Sequence, residues 1–179
     1  MITFEAFPSI ARLSRDMVIT EKIDGTNAQI IIDEDGSVCA GSRTRLITPQ
    51  DDNFGFAKWV EANKDELREK LGIGRHFGEW WGSGIQRGYG LKEKRFSLFN
   101  VKRWKDAPLP SGVYLVPVLY EGEFDTGVIE DAMFYLEKRG SSAARGFMKP
   151  EGVVVYHTKA NVMFKKTFDK DDSGKSYGA

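Results

Sequence analysis

Only one cysteine, Cys39, and two histidines, His76 and His157, occur in 179 residues. The single thiol excludes an internal disulfide framework, and so few imidazoles leave a Cys/His zinc site short of ligands. No apolar run approaches the roughly 18 residues of a membrane span, and the N-terminus lacks a signal-peptide apolar core. A cytoplasmic chain with no membrane partner is therefore expected. Net charge is missing too, because 26 Lys and Arg balance 26 Asp and Glu. Any attraction to nucleic acid must then be local. There is no internal repeat and no low-complexity block.

The composition that remains, 41% hydrophobic, 29% charged and 12% aromatic, is that of an ordinary soluble globule and argues against extended disorder. A chain of this length buries roughly 70% of its unfolded surface, enough for a core and an interior cleft. One stretch carries a local charge bias. Between Gln86 and Lys105 stand Arg87, Lys92, Lys94, Arg95, Lys102, Arg103 and Lys105, against the single acid Glu93. The interleaved Tyr89, Phe96, Phe99 and Trp104 favour a phosphate- or base-contacting surface over a merely solvated face.

Periodicity predicts short strands over 17–23, 28–32, 37–40, 75–81, 95–101, 113–119, 152–156 and 162–168. Asp35-Gly36 suits the tight turn of a hairpin. Phe56, Val60, Leu67 and Leu71 share one side of a helix over 54–71, which Gly72 ends. Ile129, Met133 and Leu136 mark a second helix, closed by Gly140. Many strands with two helices predict an α+β fold of antiparallel sheets flanked by a few helices. Residues 169–179 read as a polar, loosely ordered tail.

The segment Glu21-Lys22-Ile23-Asp24-Gly25-Thr26-Asn27 puts a lysine at the end of an apolar strand, just before a glycine turn. A lysine in a partly desolvated cleft can act as a nucleophilic amine; a surface lysine preceding a turn is the alternative.

Lys22-Ile23-Asp24-Gly25 resembles motif I of the covalent nucleotidyltransferases, which are the ATP-dependent DNA and RNA ligases and the mRNA capping enzymes. The longer string from Thr20 to Asn27 is most similar to the nick-sealing RNA ligases. Further blocks follow in that superfamily's order. Ser42-Arg43-Thr44 resembles motif Ia, Phe77-Gly78-Glu79-Trp80-Trp81-Gly82 motif III, and Phe96-Ser97-Leu98-Phe99-Asn100 motif IIIa. Lys149-Pro150-Glu151-Gly152-Val153-Val154-Val155 is similar to motif IV, and Phe164-Lys165-Lys166 to motif V.

The resemblance implies a nucleotidyltransferase domain over 1–168, an ATP-grasp-like ligase adenylation unit, with ATP and magnesium or manganese as cofactors. Lys22 would attack the α-phosphorus of ATP to form lysyl-AMP, with Lys165 and Lys166 as further catalytic lysines. Family members usually separate those two lysines by one residue. Neighbours on a strand point to opposite faces, so Lys165 is the one expected at the α-phosphate, with Lys175 a replacement for the missing cation.

The nucleotide would be held by Glu21 at the adenine amino group, by Asn27 at phosphate or the nucleic acid end, and by Arg43, with help from Arg45 if that strand continues. Glu79, among aromatics, needs a partner: a ribose hydroxyl, a metal-bound water or a nearby arginine. Phe99 would stack on adenine, with Phe96 as competitor, and Asn100 stands where the family has an acid. Glu151 would hold the metal. The implied partners are RNA, or DNA, ends and nicks. Ligases of this type also carry a C-terminal OB or helical domain; none is expected within these residues, which leaves a minimal enzyme, a fragment, or half of a two-protein system whose partner protein supplies it. The alternatives are a DNA ligase, a GTP-using capping enzyme, and a silent module that grips nucleic acid ends.

Overall fold

A computed structural model describes residues 2–169. In chain order the described elements are β1 (Asp16–Lys22), β2 (Thr26–Ile32), β3 (Val38–Gly41), β4 (Leu46–Ile47), α1 (Phe56–Leu71), β5 (Gly74–Gly82) and β6 (Lys94–Leu98). Then come α2 (Val101–Trp104), β7 (Val113–Leu115), β8 (Val118–Glu123), α3 (Thr126–Arg139), β9 (Gly152–His157) and β10 (Val162–Thr167). The strands form a four-stranded sheet, β10-β9-β1-β8, and a six-stranded sheet, β4-β3-β2-β5-β6-β7. Neighbours pair antiparallel except β6 and β7. This is the predicted α+β class. Among the described residues no helix is long and apolar enough to cross a membrane.

Each sheet buries one face under a helix. Phe56, Ala57, Val60, Leu67 and Leu71 of α1 pack on Ala28, Ile30, Trp80, Phe96 and Leu98 of the larger sheet, and burying such a side chain is worth about 1.5–3 kcal/mol. The helix starts at Phe56, two residues later than predicted, because Gly55 before it is left-handed at φ 81°. The Asp52 carboxylate then accepts the Ala57 and Lys58 amides at 2.8 and 3.1 Å, which have no partner inside the helix. On the smaller sheet Ala132, Met133 and Leu136 of α3 cover Met17, Ile19, Val153 and Val155. A third cluster, Ile23, Trp81, Tyr89, Val116 and Ala144, joins the two sheets, since Ile23 directly follows β1 and Trp81 belongs to β5.

Two predicted strands are shorter than their apolar runs. The run 113–119 splits into β7 and β8, which belong to different sheets. Pro117, between them, has no amide to continue a ladder, and its carbonyl instead accepts the Glu21 amide at 2.9 Å. The run 95–101 stops at Leu98, because the Asn100 side chain accepts the Arg103 amide at 3.2 Å and caps α2.

Candidate active site

Strand alternation divides each sheet into a helix-covered face and an open one. In β1, Met17, Ile19 and Glu21 are buried on the α3 side, which puts Thr20 and Lys22 on the other. Lys22 lies opposite Gly152, and Thr20 opposite Val154, which in turn lies opposite Lys165. In the larger sheet Asn27 and Ser97 lie opposite Glu79, and Gln29 opposite Phe77. These residues share the face turned away from α1.

The Lys22 ammonium donates to Glu151 Oε2 at 2.6 Å, in a pair whose side chains are 25% and 18% exposed. Glu79 accepts the Gly25 amide on Oε1 at 3.1 Å and the Asn27 side-chain amide on Oε2 at 2.9 Å. Burial raises the Glu79 carboxyl to about 7, against the lowering influence of Asn27, the Lys22 charge and the Gly25 amide. The Gly25 position has no room for a side chain. A Cβ there would lie 2.5 Å from the Trp80 carbonyl oxygen and 2.7 Å from Trp81 Cβ. The glycine of motif I therefore allows the turn after Lys22 to close onto Glu79.

Lys22, Glu151, Glu79 and Asn27 thus come together as one polar group. Glu21 does not face it. Its carboxylate is buried and accepts the Ser141 hydroxyl at 2.6 Å and the Ser142 and Ala143 amides at 2.7 and 2.9 Å. Burial pushes its carboxyl up, opposed by those three bonds. An adenine contact would have to use the lone pair that remains.

Arg43 is exposed in the turn between β3 and β4. Arg45 was expected on a continuing strand, but β3 ends at Gly41 and Arg45 instead pairs with Asp51. Lys165 is exposed on the Lys22 face. Lys166, named with it as a catalytic lysine but expected to face elsewhere, occupies the opposite face and pairs with Glu130 of α3 at 2.9 Å, because adjacent residues in β10 alternate. Phe96 is fully buried against Phe56 and Trp59, which makes it core; Phe99 is 43% exposed. Lys175 lies outside the described residues, as does the expected tail beyond Asp169.

The basic stretch differs from its prediction. Tyr89, Phe96 and Trp104 all point into the interior, and Arg95 pairs with Glu93, so Phe99 alone of the four aromatics faces outward. Two residues that motif reading passed over, Arg87 and Tyr89, touch Asp24 of motif I. Arg87 Nε donates to Asp24 Oδ2 at 2.9 Å, and the Tyr89 hydroxyl accepts the Asp24 amide at 2.8 Å. The sequence signal for Tyr89 is an aromatic between two glycines, Gly88 and Gly90, whereas Arg87 stands out only by its charge.

Among the described residues no three His, Cys, Asp or Glu converge as a metal cage. Glu151 and Glu79 still supply carboxylate oxygens at Lys22, one by contact and one through its charge. That donor set fits a hard divalent ion that completes its shell with water and phosphate.

A family model for RNA ligase matches residues 15–173. The chain belongs to the RNA ligase family. Its fold is similar to that of solved Naegleria gruberi RNA ligase structures. A mutant of that enzyme with ATP and Mn aligns at 20% identity and TM-score 0.63, over 87% of this chain and 50% of the other. A mutant with AMP and Mn aligns at 22% and 0.62, over 87% and 50%. The enzyme with pyrophosphate aligns at 22% and 0.60, over 86% and 50%. The chain spans about half the length of these solved ligases.

Proposed function

We propose that this RNA ligase family chain carries out ATP-dependent adenylyl transfer in polynucleotide joining, with RNA as the strand joined. The observation that carries the reading is the arrangement at Lys22: one lysine on the open face of one sheet, held by Glu151, beside a Glu79–Asn27 pair from the other sheet. That arrangement suits a nucleophile directed at a nucleotide lying between the sheets. The nucleotide and metal of the similar Naegleria gruberi structures, ATP or AMP with Mn, support ATP and a divalent ion as the ligands.

In this reading the Lys22 amine, having released its proton, bonds to the α-phosphorus of ATP while the bond to pyrophosphate breaks. The AMP then passes from Lys22 to a 5′-phosphate, and a 3′-hydroxyl attacks that phosphate and releases AMP. Each step is an in-line displacement at a charged phosphate, so one set of groups serves all three. Glu79 and Asn27 hold the ribose or phosphate, Phe99 stacks on the adenine, and Lys165 and Arg43 meet phosphate oxygens. Glu151 would hold a divalent ion, which would supply positive charge to offset the phosphates.

Incubation with magnesium and ATP labelled at the α-phosphate tests this. Wild-type protein should retain the label covalently and Lys22→Ala should lose it. Unlabelled wild-type protein, binding RNA in a salt-dependent way, would instead indicate an end-binding module. Sealing assays on nicked RNA and nicked DNA decide the strand.

A further inference from the structure

The geometry points to Arg87 as a positioning residue that sets the Lys22–Glu151 pair by tying together the chain that leaves Lys22 and the chain that enters Glu151. This inference rests on the adenylyl-transfer reading above.

Arg87 lies in the connection between β5 and β6, and its guanidinium makes three contacts. Nε donates to Asp24 Oδ2 at 2.9 Å, Nη1 to the Lys149 carbonyl at 3.3 Å, and Nη2 to Asp169 Oδ2 at 3.0 Å. Asp24 is two residues past Lys22, and Lys149 is two residues before Glu151. One rigid, planar fork therefore spans the chain leaving the nucleophile and the chain entering its carboxylate partner. The third contact reaches the chain just past β10, where the Phe168 amide donates to the Glu151 carbonyl at 3.0 Å. Motif I, motif IV and the chain that follows motif V meet at this one side chain.

Tyr89 reinforces the same two segments. Its hydroxyl accepts the Asp24 amide, and its ring packs edge-on against Trp81 at 5.0 Å and on Phe147 at 4.6 Å. Phe147 belongs to the loop that leads to Lys149. The Tyr89 backbone is left-handed, at φ 53°, an uncommon conformation for an aromatic residue. It persists because the surrounding contacts over-determine it. Each nitrogen of the guanidinium has a partner within the protein, so the role assigned to Arg87 runs through Asp24 and Lys149. A surface ion pair of convenience would need one partner; this residue joins three separate segments.

The test uses the full chain in single-turnover formation of lysyl-AMP, with Arg87→Ala, Arg87→Lys, Asp24→Asn and the Asp24→Asn/Arg87→Ala double variant, and thermal unfolding as the control for folding. Displacing a reacting group by an ångström costs up to about a hundredfold. Arg87→Ala should thus slow the rate at saturating ATP by about 10- to 100-fold, with half-saturating ATP changed by less than about twofold. Arg87→Lys should recover part of the rate. The double variant should be no slower than the slower single one.

Exchange of the Asp24 amide should be about tenfold faster in Arg87→Ala. A wild-type rate in Arg87→Ala, or independent multiplication of the two single effects, would overturn the inference. Should wild-type protein form no adduct, the adenylyl-transfer reading fails by itself. Amide exchange at Asp24 then decides: faster exchange in Arg87→Ala upholds the clamp, and unchanged exchange overturns it.

Discussion

Glu79 makes the stability of this protein depend on pH in a direction that its neighbours alone would not suggest. A carboxylate that accepts two hydrogen bonds and lies near an ammonium is usually easier to ionise. Here burial outweighs those influences and the folded-state carboxyl titrates at about 7, against 4.5 for the reference group. Below pH 4.5 folded and unfolded chains both hold the proton. Between 4.5 and 7 only the folded chain keeps it, so unfolding releases a proton and stability falls as pH rises; above 7 the loss is complete. Integrated from pH 5 to pH 8, the shift corresponds to about 2 to 3 kcal/mol. Urea unfolding of wild-type protein and Glu79→Gln at those two pH values isolates the effect, because every other titrating group is common to both. The glutamine variant is neutral at both pH values, as folded wild type is at pH 5. Its fall toward pH 8 should be smaller than that of the wild type by the amount given. Parallel profiles, agreeing within about 0.5 kcal/mol, would show that the Glu79 site is wet and that burial does not control it.

Lys165→Ala should slow AMP labelling of Lys22 by about 100-fold or more, whereas Lys166→Ala should leave the labelling rate within about twofold; the reverse order would mean that β10 is out of register. Gly25→Ala should lower stability by about 1 to 3 kcal/mol through overpacking against Trp80 and Trp81, read from the urea midpoint, and a wild-type midpoint would show that the turn moves freely. Phe96→Ala should cost about 3 to 5 kcal/mol of stability. Phe99→Ala should instead raise the KM for ATP by about 2- to 10-fold at near wild-type stability, and equal behaviour of the two variants would remove the distinction between core and site.

What was legible in the sequence was local. Motif I could be read because its four residues act within one turn: the lysine ends a strand, and the glycine fits under the Trp80 carbonyl. The opposite aims of Lys165 and Lys166 followed from a period of two. Partners brought together by register could not be read. Nothing in 179 residues states that Asn27 will lie opposite Glu79, or that Lys22 will meet Glu151, 129 residues away. The stretch 86–105 misled for a related reason. Its turns break any periodicity, so charge and aromatic content appeared as one surface, although Tyr89, Phe96 and Trp104 turn inward. Arg87 was hidden in the same way, since its role depends on three segments that only the fold assembles.

In the proposed adenylyl transfer the two sheets divide the chemistry, and the seam between them decides whether the division works. Lys22, Lys165 and Glu151 belong to the smaller sheet or its approach, while Asn27, Glu79 and Phe99 belong to the larger. Neither half can place a reacting atom alone. Ile23 is adjacent to Lys22, Trp81 is two residues from Glu79, and both are buried in the cluster that joins the sheets. Packing there transmits directly to the spacing between Lys22 and the Glu79–Asn27 pair, because interiors at crystal-like density do not absorb displacement. The chain passes between the sheets at Pro117 and again from Lys22 to Thr26, where Gly25 touches Glu79 and Arg87 and Tyr89 hold Asp24. The motif I turn thus joins the two sheets as well as following directly on Lys22. Substitutions that leave Lys22 in place but loosen Asp24 should therefore slow labelling of Lys22 without abolishing it, which separates them from loss of the lysine itself.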